Sequence, residues 1–297
     1  MNPIPPHDKP VLILLTSPAH HHDILDLCLE RLQACTDLTQ FHAIYLAANA
    51  PEPERTTLLQ AFQSRHPNTE ILPCEPLGHL PCVPRAQNRV MRRHPDRPIL
   101  KMDDDVFATP HWFENLWKLY TYTRNDESTA FVMPLVPVST MGVQILWNHL
   151  TALYKEEFKD LLIRGPELGD NLALHRFLWD AVLDHDILDT FQASLTTKRH
   201  AFSGPGGYAS INCILYDHRL TNLIHPLPEA AATLLATRTP AYDESIIHNA
   251  LNLHNKQALT ALTSTLHHYS FHKVEPHLRP HIPLPRIAAW LRNKSRP

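Results

Sequence analysis

Short apolar runs alternate with amphipathic segments through the first third of the chain. The apolar runs predict strands at residues 10–16, 41–47, 70–73 and 98–102. Between them, apolar residues recur every three to four positions, which predicts helices at residues 22–33, 54–63 and 86–92. This alternation of strand and helix predicts an α/β fold with a Rossmann-like, doubly wound and mostly parallel sheet.

The apolar pattern changes after this first third. Residues 129–137 predict another strand, and residues 143–194 have a long helical pattern that is rich in aromatic residues. Core packing is the simplest account of these aromatic residues. A helical insertion that helps to build or cover a binding site is the alternative.

Three consecutive carboxylates, Asp103, Asp104 and Asp105, follow the fourth predicted strand. Adjacent ionised carboxylates repel each other, so they are tolerated where they are solvated, paired with Lys or Arg, or neutralised by a divalent metal. Ligands of open α/β sheets bind at the carboxyl ends of strands, and oxygen ligands suit Mg²⁺ or Mn²⁺ holding a diphosphate. The segment therefore favours a metal site over a solvated acidic turn.

Two later segments also carry candidate chemistry. Gly204, Gly206 and Gly207 are three of the seven glycines in the chain, and their clustering indicates either a tight turn or the close approach of a ligand to the backbone. Asp243 and Glu244 stand at the start of a predicted helix. These two acids either cap that helix or supply a general base that acts on an alcohol.

Histidine is abundant, with 22 in the chain, so a single histidine is weak evidence for a site. The strand-like segment 266–273 nevertheless contains three of them. Regular strand alternation would place His268 and His272 on one face and His267 on the other. One of these rings could complete a metal site.

Composition disfavours several classes of protein. The formal net charge of −3 lacks the basic excess of nucleic-acid-binding proteins, and no apolar run approaches the ~20 residues of a membrane span. The proline-rich N-terminus does not resemble a signal peptide, so we expect a cytoplasmic chain with reduced cysteines. The chain has neither GxGxxG after its first predicted strand nor GxxxxGK[ST], which disfavours dinucleotide oxidoreductases and P-loop phosphotransferases.

Taken in order, these features resemble a known family. The segment Lys101-Met-Asp-Asp-Asp-Val-Phe107 is similar to the DxD segment of metal-dependent nucleotide-sugar glycosyltransferases with the GT-A fold. Ser203-Gly-Pro-Gly-Gly-Tyr208 is similar to the SGxGY segment of β-galactosyltransferase-like and fringe-like members. Arg85-Ala-Gln-Asn88 resembles the ARN element of family-2-like members. The order of these motifs, more than any one of them, carries the resemblance.

The resemblance implies which residues form the site. The nucleotide-sugar donor would be bound by Thr16, Arg85, Asn88, Lys101, Asp103 and Asp104. The acceptor would be bound by Ser203, Gly204, Gly206, Gly207 and Tyr208. A Mn²⁺ or Mg²⁺ ion would be held by Asp105, with further candidate ligands Asp103, His268 and His272. The general base would be Glu244 or Asp243; we favour Glu244, although the order of the two acids is reversed relative to the family.

The resemblance also implies the reaction and the domain organisation. A sugar would move from a nucleoside-diphosphate sugar, most often one of uridine diphosphate, to a glycan, lipid-linked or protein acceptor, with inversion at the anomeric carbon. Residues 1–9 would be a flexible N-terminus before one catalytic domain at 10–275. That domain would contain a nucleotide-binding half, a helical insertion, and an acceptor and catalytic half, at residues 10–137, 138–200 and 201–275.

Two other classes of function stay open, as does a contact with membranes. A metal-dependent hydrolase or phosphatase could use the aspartate triplet and the histidines, although the chain has no HExxH spacing. A catalytically silent nucleotide-sugar-binding or glycan-binding protein would use Asp243 and Glu244 as helix caps alone. The basic residues 276–297 would be a solvated tail or would make peripheral contact with an anionic membrane and its lipid-linked acceptors.

Overall fold

A computed structural model of the 297-residue chain gives its fold. The structure describes residues 3–18, 20–49, 51–74, 79–164, 171–195, 200–203, 209, 211–229, 243–271 and 273–294. The strands are β1 Val11–Leu15, β2 Ala43–Asn49, β3 Thr69–Cys74, β4 Ile99–Asp103, β5 Val106–Ala108, β6 Thr129–Leu135, β7 His200–Ser203, β8 Cys213–Tyr216 and β9 Gln257–His268. The helices are α1 His22–Cys35, α2 Pro53–Arg65, α3 His79–Arg93, α4 Trp112–Thr123, α5 Thr140–Arg164, α6 Leu172–His185, α7 Ile187–Ser194, α8 His218–Ile224, α9 Asp243–Leu253, α10 Glu275–Leu278 and α11 Leu284–Lys294.

The nine described strands form one sheet in the order β3-β2-β1-β4-β8-β6-β9-β5, and β7 pairs with β9. The first four are mutually parallel, while β8 is antiparallel to both β4 and β6, and β9 is parallel to β6. Because β5 and β7 are antiparallel to β9, six of these nine strands run in one direction and three in the other. The predicted doubly wound, mostly parallel α/β sheet is confirmed.

Helices cover both faces of this sheet. Strand β1 is buried along its whole length, and its residues alternate between two cores: Leu12 and Leu14 face one, Val11 and Ile13 the other. Helices α1, α2, α4, α6 and α11 contribute apolar side chains to the first core, and α3, α8 and α9 to the second. Burial on both faces explains the uninterrupted apolar runs in the sequence.

Several elements differ from the sequence predictions. The short β5, directly after the aspartate triplet, was not predicted, because a three-residue strand has too few positions to show a period. Strand β9 begins at Gln257, well before the predicted segment. The predicted helical insertion contains α5, α6 and α7, and Trp179 is buried in the core as expected, although Trp147 is 42% exposed. The predicted C-terminal tail contains helix α11.

The strand order defines where a ligand binds in such a sheet. Strand β1 lies between β2 and β4, so the chain leaves β1 toward one side of the sheet and crosses to the other side after β3. The carboxyl ends of β1 and β4 therefore border the crevice that serves as the ligand site in doubly wound folds. Asp103 ends β4 and Leu15 ends β1 at this edge, and they are opposite each other in the register.

No helix in the described ranges combines the length and the apolar character that crossing a membrane requires.

Candidate functional site

The three consecutive aspartates at the end of β4 have different partners. The Asp103 Oδ1 atom lies 2.8 Å from Lys101 Nζ. The Asp104 Oδ2 atom accepts a hydrogen bond from the backbone N–H of Ser17 at 3.0 Å. Asp105 faces two histidine rings. The repulsion between adjacent carboxylates is therefore offset by a separate positive or hydrogen-bonding partner for each.

Asp105 lies between His20 and His268. Its Oδ2 atom is 3.2 Å from His20 Nε2 and 2.9 Å from His268 Nε2. All three side chains are buried, with 7%, 8% and 2% of the Asp105, His20 and His268 side chains exposed. His20 belongs to the loop between β1 and α1, and His268 is the last residue of β9, so the sheet brings together two rings that are distant in the sequence.

Backbone pairing brings His268 to Asp105. Strand β5 follows Asp105 directly and runs antiparallel to the end of β9, with Val106 opposite His268. The Tyr269 N–H donates a hydrogen bond to the Asp105 carbonyl oxygen at 2.9 Å. The unpredicted strand β5 is thus the element that positions the two side chains.

Both histidines direct Nδ1 away from Asp105. His268 Nδ1 lies 3.1 Å from the Val138 carbonyl oxygen, and His20 Nδ1 lies 2.6 Å from Glu275 Oε2. A carbonyl or carboxylate oxygen accepts a hydrogen bond, so Nδ1 carries the ring proton in each case. In its neutral form each ring then directs the Nε2 lone pair toward Asp105. Two imidazole lone pairs and a carboxylate oxygen converge, which is the arrangement of metal-binding histidines whose second nitrogen donates to a protein oxygen.

The same contacts change the protonation of these groups in the metal-free protein. Burial disfavours the charged ring of His20, but the carboxylates around it, Asp105 foremost and then Glu275 and Asp104, together outweigh burial and raise the pKa of His20 to about 11. The pKa of His268 is raised in the same way against the effect of burial. Burial opposes ionisation of Asp105, yet the two rings hold the pKa of Asp105 far below its usual range. Protons and a metal ion therefore compete for the same positions.

The described residues at this point can accommodate a cation. Ligand atoms of His20, Asp104 and Asp105, one from each, lie within 4.8 Å of one another. The buried Asp105 Oδ1 atom has no hydrogen-bond partner among the described residues. Adjacent ligand atoms of an octahedral ion, each about 2.1 Å from it, are about 3.0 Å apart. The distance of 3.2 Å from Asp105 Oδ2 to His20 Nε2 agrees with that spacing. His268 Nε2 lies 2.9 Å from the same oxygen but does not belong to this group of three, so its predicted role as a metal ligand stays a prediction.

Asp104 and Thr16 also hold strand ends together. The Asp104 Oδ2 atom is 3.2 Å from Arg55 Nη1, and both side chains are almost fully buried. The Thr16 hydroxyl donates to the Ala47 carbonyl oxygen at 2.7 Å and accepts from the Asn49 N–H at 3.2 Å. These contacts fix the carboxyl ends of β1 and β2 and the segment after β4. The predicted roles of Asp104 and Thr16 in donor binding stay predictions.

Lys101 connects the aspartate triplet to the acidic pair that sequence analysis proposed as general base. Its Nζ atom is buried and lies 2.8 Å from Asp103 Oδ1 and 3.9 Å from Asp243 Oδ2. Asp243 Oδ2 also accepts a hydrogen bond from Gln87 Nε2 at 2.8 Å, and Asp243 Oδ1 accepts one from the backbone N–H of Glu244 at 3.0 Å. The start of α9 therefore lies beside the triplet, as the catalytic assignment requires.

Arg85 and Asn88, which were predicted to bind the donor, contact the segment after α8. The buried Asn88 side chain exchanges two hydrogen bonds of 2.8 Å with the backbone of Leu227. Its Nδ2 atom also donates to Glu229 Oε1 at 2.7 Å, and Arg85 Nε lies 3.5 Å from Glu229 Oε2. Asn88 is thus used to anchor this segment, and contact of either residue with a nucleotide stays a prediction.

Part of the predicted site lies outside the described residues. This applies to Gly204, Gly206, Gly207, Tyr208 and His272. Ser203 is the last residue of β7 and lies opposite Ala258 in the register with β9. The acceptor-binding assignment of residues 203–208 therefore stays a prediction.

Sequence analysis missed His20 and Glu275. The signal for His20 was its place in the first loop after β1, at the carboxyl edge where ligands of such sheets bind. His20 begins a run of three histidines in a chain with 22, so residue type alone did not single it out. Glu275 has no signal in the sequence, because its contact with His20 arises from the folding of the C-terminal segment back onto the loop after β1.

Comparisons with known proteins agree with the fold. No family model and no curated protein matches this chain. The chain is similar to the mannosyltransferase PcManGT from Pyrobaculum calidifontis in complex with GDP-Man and Mn²⁺, with a TM-score of 0.51 and 10% identity, over 98% of this chain and 70% of that chain. It is also similar to the apo structure of the bifunctional glycosyltransferase WbbM, with a TM-score of 0.41 and 12% identity, over 84% of this chain and 38% of that chain.

The first of these similarities shows the fold. Its low sequence identity carries no reaction or substrate to this chain, and the TM-score of the second is too low to support an argument. The predicted fold, which is that of glycosyltransferases, is confirmed. The cluster of His20, Asp104 and Asp105 lies at the sheet edge where a GT-A fold is expected to hold its metal.

Proposed function

We propose that this chain is a metal-dependent glycosyltransferase that moves a sugar from a nucleoside-diphosphate sugar to an acceptor hydroxyl. The observation that carries this proposal is the convergence of His20 Nε2, Asp105 Oδ2 and His268 Nε2 at the carboxyl ends of β1 and β4. A buried Asp105 oxygen without a partner in the described structure points to a further ligand there. The glycosyltransferase fold makes a nucleotide-sugar the first donor to test.

The residues that would hold the ion are Asp105, His20 and His268, with Asp104 beside them. A mixed set of imidazole and carboxylate ligands favours Mn²⁺ over Mg²⁺, because Mg²⁺ prefers oxygen ligands. Asp103 is also a candidate ligand from the sequence, but its Oδ1 atom is 2.8 Å from Lys101 Nζ. Its side chain is 28% exposed, which leaves it able to meet the ribose or a metal-bound water of an entering donor.

A divalent ion bound here would supply positive charge to the diphosphate of the donor and so stabilise the leaving nucleoside diphosphate. Lys101 keeps a buried positive charge next to Asp103 and Asp243, which limits the repulsion between these acids. Arg55 does the same for Asp104. The chain therefore holds four carboxylates in one region before any donor enters, and their charge would attract a divalent cation, which in turn would attract the diphosphate of the donor.

Glu244 is the proposed general base. Each oxygen of the neighbouring Asp243 already accepts a hydrogen bond, from Gln87 and from the Glu244 backbone, and Asp243 is buried, which leaves it less accessible to an acceptor than Glu244. Glu244 is partly exposed in the first turn of α9, where a side chain can meet an acceptor. It removes the proton of the acceptor hydroxyl as the bond between the anomeric carbon and the diphosphate breaks, and attack from the opposite face inverts that carbon.

The donor and the acceptor are proposed by class. A uridine diphosphate sugar follows from the motif resemblance, and a guanosine diphosphate sugar is the compound in the similar PcManGT complex, so both belong in the first panel. The acceptor is a hydroxyl of a glycan, a lipid-linked sugar or a protein. It would meet the enzyme at residues 203–208 and at helices α5 to α7, which form the predicted helical insertion.

The test uses the purified full chain with a panel of nucleoside-diphosphate sugars, with and without Mn²⁺. Thermal unfolding reports donor binding, because a ligand that binds the folded state alone raises the unfolding temperature. Release of the nucleoside diphosphate and transfer of labelled sugar to simple glycoside acceptors are measured in parallel. We expect stabilisation by one nucleotide class that depends on Mn²⁺, and transfer that Asp105→Asn lowers by at least about 100-fold.

Asp8→Asn is the matched control, because Asp8 is a more exposed aspartate that lies within ion-pair distance of His7 and Arg124. It should behave like the unchanged chain. Release of phosphate from simple esters, without use of any sugar donor, would replace the proposal with a metal-dependent phosphoesterase. Donor binding without transfer or hydrolysis, unaffected by Glu244→Gln, would identify a binding protein.

A further inference from the structure

A chain of charged side chains, buried at His20 and Glu275 and partly exposed at Arg279 and Asp23, leads from His20 to the C-terminal part of the protein. Glu275 Oε2 lies 2.6 Å from His20 Nδ1, on the side of the ring opposite Asp105. Glu275 Oε1 accepts a hydrogen bond from Arg279 Nε at 3.0 Å. Arg279 in turn donates to both oxygens of Asp23, at 2.9 and 2.7 Å. These contacts link α10 and its C-cap both to the loop that carries His20 and to the first turn of α1.

The geometry of these four linked side chains suits a role beyond holding two segments together. The forked Arg279–Asp23 contact already links the C-terminal segment to α1, and an arginine–carboxylate fork is a strong contact by itself. Glu275 adds a carboxylate with 6% of its side chain exposed, and burial of a charge costs free energy unless the charge is paired. Arg279 contacts the Oε1 atom of Glu275 and His20 contacts the Oε2 atom, so the arginine fixes the orientation in which the carboxylate meets His20.

We infer that Glu275 is a positioning residue for the metal centre, and that it acts through His20. The carboxylate accepts a hydrogen bond from the Nδ1–H of His20, which leaves the Nε2 lone pair of the neutral ring directed at the ion position beside Asp105. Arg279 orients Glu275, and Asp23 orients Arg279. None of the three is a metal ligand, yet the C-terminal segment completes the site. This inference rests on the proposed function, because it presupposes an ion at Asp105.

The two candidate histidine ligands differ in the group that accepts the hydrogen bond from Nδ1. His268 directs its Nδ1 to a backbone carbonyl, whose position is fixed by the chain. His20 lies in a loop, and the acceptor for its Nδ1 is a side chain that must itself be oriented. A carboxylate acceptor also makes the ring a stronger ligand than a neutral carbonyl does. Loss of Glu275 should therefore weaken metal binding through His20 and leave the contribution of His268 intact.

The experiment measures binding of Mn²⁺ alone to the full chain, by the electron paramagnetic resonance signal of free Mn²⁺ during a titration without nucleotide. Supporting partners of ligating histidines typically contribute about 10- to 100-fold in metal affinity. We expect Glu275→Gln to raise the dissociation constant for Mn²⁺ by about that factor. The titrations are made well below the unfolding temperature of each variant. Glu30→Gln is the matched control, since Glu30 pairs with Arg292, between α1 and α11, and not with His20. It should leave the constant unchanged.

A double-mutant cycle separates positioning from simple structural support. In a His20→Ala background the substitution Glu275→Gln should cause no further loss of Mn²⁺ affinity, because the ring through which it acts is gone. An additional loss of similar size would overturn the inference. Arg279→Lys is the second variant. It keeps Glu275 and the positive charge, and it should lower the affinity for Mn²⁺ by a smaller factor than Glu275→Gln.

The outcomes distinguish this inference from the proposed function. If the unchanged chain binds Mn²⁺, His20→Ala weakens that binding and Glu275→Gln does not, then Glu275 is a structural residue and the proposed function stands. If the unchanged chain binds no Mn²⁺, the metal centre and the inference fall together. If His20→Ala leaves Mn²⁺ affinity unchanged, the inference is wrong while Asp105 and His268 remain the candidate ligands.

Discussion

Individual side chains at the edge of the sheet show how far residue type alone can predict a role. Asp103, Asp104 and Asp105 are neighbours of the same type, yet they contact Lys101, a backbone N–H with Arg55, and two histidines respectively. The sequence favoured a metal site at these charges over a solvated acidic turn. It could not predict how the charges are divided, because most of the partners come from the loop after β1, from α2 and from β9, and the tertiary fold brings them together.

At the scale of single residues, the choice between Glu244 and Asp243 as the general base can be tested directly. We predict that Glu244→Gln lowers transfer by about 100- to 10,000-fold, the usual contribution of a general base, and leaves Mn²⁺-dependent donor binding within about twofold. The reason is that the amide keeps the size of the side chain but cannot accept the hydroxyl proton. Initial rates of sugar transfer and thermal shifts with the donor measure the two effects.

Glu54→Gln is the control for this substitution. Glu54 is an exposed acid in the first turn of α2, so its replacement removes the same favourable contact with a helix dipole as the replacement of Glu244. Transfer should be unaffected by that change. Unimpaired transfer by Glu244→Gln together with a large loss in Asp243→Asn would move the base to Asp243 and refute our preference.

At the scale of single elements, the long apolar strands and amphipathic helices were predictable, and the short elements were not. Strand β1 is buried on both faces and shows this directly in its sequence. Strand β5 has three residues, and its pairing with β9 depends on contacts that are distant in the chain. The element that brings His268 to Asp105 was therefore the hardest to predict, although His268 itself had been proposed from its place in a strand.

Helix α8 gives a test of how one element is held. Asp217 caps this helix by accepting from the Arg219 N–H at 2.9 Å, and its carboxylate also accepts from the Arg219 guanidinium and from Tyr120 Oη of α4. Arg219 Nη1 donates to the Thr123 carbonyl oxygen at 2.6 Å. All of these side chains are buried. The pair thus joins α8 to the end of α4.

We predict that Asp217→Asn lowers the free energy of unfolding at pH 7 by about 3 kcal/mol, because it leaves the buried Arg219 charge without its partner. Burial opposes ionisation of Asp217, but the hydrogen bonds from Arg219 outweigh it and lower the pKa of Asp217. The native carboxylate therefore stabilises the fold above the unfolded pKa of about 3.9, and this contribution is lost as the pH falls through the lower native pKa. The difference between the two proteins should be constant from pH 7 to about 4 and narrow below that.

Urea unfolding followed by circular dichroism at several pH values measures this difference. Asp184→Asn is the control, because Asp184 pairs with Arg286 at the surface and should contribute less than about 1 kcal/mol. Equal effects of the two substitutions at pH 7 would show that the buried pair has no special role in attaching α8.

At the scale of the whole molecule, the C-terminal segment is the main difference from the sequence prediction. It was expected to be a basic tail, but Leu284, Ile287 and Leu291 of α11 are buried in the core. Its sequence alternates apolar and basic residues at helical spacing, so a helix could have been predicted there. The surface that covers its apolar face could not, because that surface combines α1 and α6 from distant parts of the chain.

The charges of this helix bear on membrane contact. Arg292 makes a two-pronged contact with Glu30 at 2.7 and 2.5 Å, and Lys294 pairs with Asp186 and Asp189. A basic residue near an anionic lipid surface contributes about 1 kcal/mol when its charge is available. Here the neighbouring carboxylates already offset the charge, and they would repel the same surface.

We therefore predict that the full chain does not sediment with anionic phospholipid vesicles more than with neutral ones at 0.15 M salt. The triple variant Glu30→Gln, Asp186→Asn, Asp189→Asn should sediment more with the anionic vesicles, since it removes the carboxylates that face Arg292 and Lys294. Binding of the unchanged chain that disappears in Arg292→Gln, Lys294→Gln would show the opposite, that α11 is a membrane contact. In that case lipid-linked acceptors would become the first acceptors to test. With the predicted result, water-soluble glycan and protein acceptors come first, because nothing in the charge of α11 then holds the protein at a lipid surface.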